Sequence, residues 1–172
     1  MDDIRPFNFS QKVDMPIYAT EKVLRQIKKE FAYIFEEIKY PGVPTVIPHI
    51  ISNHPFEIEG TSIVPIEVMH YRLPVLGFRF GDFTYITDAK TISEKEIQKI
   101  MGTKTLVINA LQHSHHISHF TLEEALKMVE RIKPETAYLT HISHKLGTHH
   151  EVEKKLPDNI KLAFDGLSIT IS

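Results

Sequence analysis

The sequence predicts a layered α/β fold, on three observations. Runs rich in β-branched and aromatic residues alternate with stretches of helical periodicity, S/T-x-x-E patterns mark helix starts between those runs, and turn residues close the gaps. From Glu21 to Lys39, Val23, Leu24, Ile27, Phe31, Ile34, Phe35 and Ile38 recur at spacings of three and four with Lys and Glu on the other face. A first helix is therefore expected there, capped by Thr20 and stopped by Pro41-Gly42. The Pro-punctuated stretch 41–55 reads as a connector that wraps the surface. From Thr61 to Tyr85 and just beyond, SIVPIEVMHY, PVLGFRF and DFTYITD read as strands, the last two joined in a hairpin through Gly81-Asp82. Later helices start at Ser93 with Glu96, Thr121 with Glu124 and Thr148 with Glu151, each pair spaced as a capping box. TLVINA at 105–110 and TAYLTH at 136–141 supply strands between them, and the chain closes on a predicted Asp165-Gly166 hairpin. The resulting order is β-β-β-α-β-α-β-α-β-β.

Composition narrows the function classes. At 172 residues, one domain over 1–172 is the expected organisation. With 42% hydrophobic and 24% charged residues the chain is globular in class, and it has no apolar run long enough to cross a bilayer. Twenty basic against 22 acidic residues, a net charge of -2, leave no electrostatic footprint for a nucleic-acid backbone in the total. The absence of Cys excludes a disulfide framework, a thiolate metal site and a cysteine nucleophile. MDDIRPFNFS lacks the regions of a secretory signal, so a cytoplasmic protein is expected. No Gly-rich phosphate loop, G-x-S-x-G elbow or H-E-x-x-H is present.

Histidine is the unusual entry in the composition: there are 11, against 7 Gly, and eight of them fall between His113 and His150. His70, Asp88 and His141 each close a predicted strand, at the edge where open α/β sheets build their sites. Imidazole with carboxylate suits Zn, Mn or Fe, and a carboxylate can bridge two metals. Any one such residue is ordinarily a satisfied capping or core polar group; three in parallel positions point to a site. His119 lies two residues ahead of the Thr121 box, on a strand-to-helix loop, where an imidazole of near-neutral pKa can act as general acid or base. His116 and His144 are placed to support it, whereas His113 and His115 read as solvated loop residues and His149 and His150 as surface. His49 and His54 carry no spacing signal.

Asp88 in YITDAK, the run Tyr138-Leu139-Thr140-His141-Ile142-Ser143-His144 and the closing Ala163-Phe164-Asp165-Gly166-Leu167 resemble the later motifs of metallo-β-lactamase-fold hydrolases. The resemblance is to the branch of the carbon-phosphorus lyase accessory phosphodiesterase, with transfer-RNA 3′-processing nucleases as broader relatives. It implies a metallo-β-lactamase-like αββα sandwich and a phosphodiesterase using water activated by two divalent metal ions, Zn or Mn, on a small phosphodiester or nucleotide-like substrate. By the same resemblance His70 is a ligand of one metal, Asp88 the bridging catalytic carboxylate, His141 a ligand of the second metal, and His119 the acid that protonates the leaving oxygen. The family's first motif, H-x-H-x-D-H, occurs nowhere in the sequence, and Asp2-Asp3-Ile4-Arg5-Pro6-Phe7 resembles the stretch that follows it. The expectation is an N-terminally incomplete domain with weak or partial metal occupancy and impaired activity, self-associating as a homo-oligomer through uncovered strand edges. The alternative is a non-catalytic α/β interaction domain with residual metal affinity. A histidine-rich metal carrier fits less well, because His70, Asp88 and His141 are spread over separate strand ends.

Overall fold

In the computed structural model, which describes residues 1–38 and 40–171, the chain forms two units, Met1–Ser52 and Asn53–Ser172. The first holds helix α1 (Arg5–Gln11), strand β1 (Met15–Ala19), helix α2 (Glu21–Glu30) and strand β2 (Val46–Ile50). β1 and β2 pair in parallel, from Met15 opposite Val46 to Ala19 opposite Ile50. A parallel pair needs a crossover, and α2 lies within it. Thr20 caps α2 as its sequence position predicts, its Oγ1 accepting from the Val23 N–H at 3.4 Å.

Two expectations for this unit are corrected. The helix predicted from Glu21 to Lys39 stops at Glu30: Phe31 leaves the helical region at φ -118 and ψ 44, and a 3₁₀ turn over Ala32–Ile34 follows. That turn, not a continuing helical face, carries Ile34 into a buried position, which is why apolar periodicity persists past the helix end. Lys39 itself lies outside the described residues. The supposed connector contains β2, whose Pro48 is tolerated because both strands of a two-stranded ladder are edges. His49, which carried no spacing signal, stacks on its cross-strand partner Tyr18, with ring centroids 4.7 Å apart.

The second unit is a mixed sheet of strands β3 (Phe56–Ile58), β4 (Thr61–His70), β5 (Leu73–Phe80), β6 (Phe83–Ile86), β7 (Thr91–Ile92), β8 (Thr105–Asn109), β9 (Thr136–Thr140) and β10 (Ile160–Leu162). Among the described residues its order is β10-β9-β8-β6-β5-β4-β3, with β7 pairing on β4. The β3-to-β6 pairings are antiparallel and those joining β6, β8, β9 and β10 are parallel. Two antiparallel steps return β6 to the direction of β4. Hence β4, β6, β8 and β9 all end at one edge of the sheet.

Helices α3 (Glu94–Ile100), α4 (Leu122–Ile132) and α5 (His149–Glu153) complete the unit. Alternate strand residues Ile66, Val68, Ile86, Leu106, Ile108, Ala137 and Leu139 are fully buried in one cluster with Ile100, Ala125, Val129 and Ile132 of the helices. β5 approaches β6 closely at Gly77, where a Cβ would lie 2.9 Å from both the Tyr85 carbonyl oxygen and Ile86 Cγ1.

The capping expectations divide. Thr121 and Glu124 form the complete reciprocal box. Ser93 caps α3, but the Glu96 carboxylate turns inward to accept from the Glu67 N–H, the Asn53 amide and Lys99 at 2.8–2.9 Å. At α5, Thr148 Oγ1 donates to the Glu151 carboxylate and makes no bond to the helix backbone. The predicted closing hairpin is also corrected. Its turn forms, with the Leu167 N–H donating to Phe164 O at 3.0 Å, but among the described residues no strand follows it. β10 has three residues and spends its ladder on β9, in parallel.

Two measurements check this packing. Gly77→Ala is expected to cost about 1–3 kcal/mol in urea unfolding, since backbone faces the added methyl on one side; an unchanged midpoint would show that β6 moves freely. Burial alone would raise the pKa of Glu96, but its bonds from Lys99, the Glu67 N–H and Asn53 outweigh that and hold it below its ordinary value. Its folded pKa being depressed, its stabilisation is present above the unfolded carboxylate range, about pH 4.3, and is lost as pH falls through the lower folded value. Unfolding free energy measured against pH should fall less steeply below that range in Glu96→Gln than in the parent chain, and identical slopes would contradict the assignment.

Candidate metal site at one sheet edge

Three strand ends and one loop meet at the edge shared by β4, β6, β8 and β9. His70 is the last residue of β4, Asp88 lies two residues past β6, His141 follows β9 directly, and His119 precedes α4 by three positions. The structure brings their side chains together. His119 Nε2 lies 3.0 Å and His141 Nε2 3.3 Å from the same Asp88 oxygen, Oδ1. The His119 and His141 rings stack at 4.6 Å and 16°, and the His70 ring meets His119 edge-on at 4.7 Å. Donor atoms of His70, Asp88 and His119 all lie within 4.8 Å of one another.

Local backbone explains how they are held. Asp88 and His141 adopt φ of 55° and 58°, left-handed values that cost a residue with a Cβ about 1–3 kcal/mol. Their neighbours are tied down. The fully buried Asn109, at the end of β8, accepts from the Ala89 N–H at 2.8 Å and donates to Ala89 O at 3.0 Å. The same carbonyl takes the Phe120 N–H at 2.9 Å, and Leu111 N–H donates to Phe120 O at 2.9 Å, which fixes the loop bearing His119. On the third side Ala110 N–H donates to Thr140 O and Ser143 N–H to Leu111 O, both at 2.9 Å, bracketing His141. Lys90 continues the scheme: its N–H donates to Met69 O, and its ammonium pairs with Glu124, the capping residue of α4.

His119 is 8% exposed, whereas the side chains of Asp88 and His141 are 44% and 40% exposed, so the cluster is walled on one side and open on the other. Burial lowers the pKa of His119; the Asp88 contact pulls upward without reversing it, and His141 and His70 add to the lowering. The neutral imidazole is therefore favoured, the form that ligates metals. Its Nδ1 faces Ser118 Oγ at 2.9 Å and His116 Nδ1 at 3.1 Å, so His116 joins the cluster through His119. When Nε2–H donates to Asp88, Nδ1 accepts from one of these two groups.

His144 is exposed. His115, His149 and His150 are exposed as well; His113, also exposed, places Nε2 3.0 Å from Leu146 O and so is anchored where a merely solvated residue was expected. Asn109 and Ser118 escaped the sequence reading. Asn109 carried a signal, a polar residue closing the otherwise apolar run TLVIN at the same edge; Ser118, inside a His-rich loop, carried none.

Three imidazoles around one carboxylate fit a divalent cation by the chemistry of their donors. His70, Asp88 and His119 supply one atom each, and His141 reaches the same Asp88 oxygen.

Residues 1–142 match the family described as the beta-lactamase superfamily domain, and the chain belongs to that family. It has the metallo-β-lactamase fold: it superposes on the crystal structure of a new diphosphatase from the PhnP family with a TM-score of 0.89 at 33% identity, covering 99% of this chain and 65% of that one. Human tRNase Z, short form, shares the fold alone, with a TM-score of 0.66 at 15% identity over 91% of this chain and 66% of that one. A protein of Porphyromonas gingivalis (strain ATCC BAA-308 / W83) named octanoyltransferase is 32% identical over 173 residues, 99% of this chain and 35% of its own. The chain thus spans about a third of the length of that curated relative.

Asn109→Ala is expected to destabilise the fold by about 2–4 kcal/mol in urea unfolding, because both polar groups of Ala89 lose a buried partner. A change under about 0.5 kcal/mol would mean that the Asp88 loop holds itself.

Proposed function

We propose that this chain carries a metal-dependent phosphodiesterase site. The observation that supports the reading most directly is the Asp88 carboxylate oxygen placed between His119 and His141, with His70 alongside. Family membership and the similarity to a diphosphatase support the choice of a phosphoryl centre. In this reading His70, Asp88 and His141 would hold divalent metal, Zn or Mn. Bound there, divalent cations lower the pKa of a water and neutralise phosphoryl charge. Asp88 orients His119 by accepting from its Nε2. His119, held through Nδ1 by Ser118 and His116, acts in its protonated form: the imidazolium gives its Nε2 proton to the departing oxygen, is left as the neutral imidazole that burial favours, and is protonated again by water from the open side of the cluster before the next turnover.

The three residues that hold metal in this reading fall short of what two ions need, since catalytic zinc sites ordinarily hold three protein ligands each. Metal binding by these 172 residues is therefore weak. The name octanoyltransferase belongs to a chain almost three times as long, and a sequence without Cys offers no thiol to carry an acyl group.

The test separates the two roles of the imidazoles. In excess Mn the chain should turn over bis-p-nitrophenyl phosphate slowly, and faster when extended upstream by residues carrying H-x-H-x-D-H. In the extended chain Asp88→Ala should remove bound metal and most of the rate together, whereas His119→Ala should slow turnover by roughly 100-fold with metal content intact. Equal metal loss in both variants would make His119 a ligand, as its place beside His70 and Asp88 also allows.

A further inference from the structure

The closing motif Ala163-Phe164-Asp165-Gly166-Leu167 has no part in the site as described, and residues 163–167 lie beyond the stretch matched by the family. Yet the fold brings it to the same edge. Ala163 N–H donates to Leu139 O at 2.8 Å, so β10 delivers the motif beside the end of β9, where His141 stands. There Thr140, His141, Ile142, Ala163, Phe164 and Asp165 line a pocket of about 270 Å³.

Phe164 is 58% exposed. Single exposed apolar residues are common and need no explanation. This one differs because its backbone is fixed and the residue lines a pocket shared with a candidate site residue. Leu167 N–H donates to Phe164 O at 3.0 Å, Gly166 takes the positive φ of 89° at the third position of the turn, and the His149 ring meets the phenyl edge-on at 6.0 Å. Next to it, Asp165 is exposed and accepts no hydrogen bond among the described residues. An exposed aromatic ring and an unengaged carboxylate on adjacent residues match a planar ring whose edge carries N–H donors. The volume lies just under the usual range for ligand pockets, about 300 Å³ and above, so it admits one ring system and not a larger ligand.

We infer that the pocket beside His141 is a nucleobase subsite, in which Phe164 stacks on the base of a nucleotide-type phosphate ester and Asp165 accepts from its N–H edge. The inference rests on the phosphodiesterase reading for the placement of the phosphate next to His141. The base then occupies the pocket, with the ester between the two.

The test is a titration of the 172-residue chain in excess Zn with guanosine 5′-monophosphate, followed by amide chemical shifts, with ribose 5-phosphate and p-nitrophenyl phosphate as comparison ligands. Guanosine monophosphate should bind more tightly than ribose 5-phosphate and shift the amides of Phe164 to Gly166. Phe164→Ala should weaken it by about tenfold or more, the scale of a lost base–aromatic stack, while ribose 5-phosphate binding stays within twofold. Phe164→Tyr should restore the affinity. Asp165→Ala should weaken guanosine monophosphate and leave p-nitrophenyl phosphate, which has a ring but no N–H donor, unchanged. Both side chains are exposed, so the amide spectrum of each variant reports directly whether it remains folded. Equal binding of guanosine monophosphate and ribose 5-phosphate, or an affinity indifferent to Phe164, would overturn the subsite. Phe164-dependent binding in a protein that hydrolyses no diester even when extended would uphold the subsite and sink the hydrolase reading alone.

Discussion

The end of β8 is the hub on which the site depends. Asn109, Ala110 and Leu111 between them bond to the segments that carry Asp88, His119 and His141: Asn109 through its carboxamide to Ala89, Ala110 through its N–H to Thr140, and Leu111 through both backbone groups to Phe120 and Ser143. None of the candidate site residues belongs to this hub. It lies between them, buried, and each loop docks on a different polar group of it. Left-handed backbone at Asp88 and His141 costs about 1–3 kcal/mol apiece, and the bonds next to each, at about 1 kcal/mol net, are of the size needed to offset it. Strained conformations at two facing loops persist because a shared, fully satisfied strand end over-determines them.

Strand direction supplies the rest. An all-antiparallel meander would have put alternate strand ends on opposite edges and separated His70 from Asp88 or from His141. The double reversal from β4 through β5 to β6, followed by parallel crossovers to β8 and β9, puts four strand ends on one edge. Gly77 belongs to this arrangement, since the close approach of β5 to Ile86 sets the path of β6 into the Asp88 loop.

What could be read from sequence followed the strength of the local signal. The strands from Thr61 to Ile86 and from Thr105 to Thr140 were legible because β-branched runs end at unambiguous turns, and α4 because Glu124 keeps its box with Thr121 even while it pairs with Lys90. Glu96 shows the limit of that rule. Its spacing from Ser93 is that of a cap, but the Glu67 N–H, Asn53 and Lys99, all distant in sequence or on the next turn, offer three partners against one. The 3₁₀ turn after α2 and the strand through Pro48 were hidden for a similar reason: apolar spacing reports burial, and burial at Ile34 is reached without a helix. At the site, His70, Asp88, His119 and His141 were legible as residue types at strand ends. Asn109 was not, because a single polar residue closing an apolar strand looks the same whether it caps that strand or clamps its neighbour.

Charge carries the argument from clamp to chemistry. The carboxylate of Asp88 faces imidazoles, and the nearest lysine in sequence, Lys90, is committed to Glu124. An imidazole made neutral by burial, as at His119, cannot balance that charge as a guanidinium or ammonium would. Were Asp88 only a structural group, amide chemistry of the Asn109 kind would hold the loops equally well without a carboxylate beside a ring whose burial lowers its pKa, as at His119. A carboxylate in that setting, half open to solvent on the side away from the core, keeps donor atoms within 4.8 Å of those of His70 and His119, the spacing at which oxygen and imidazole nitrogen can share a divalent cation.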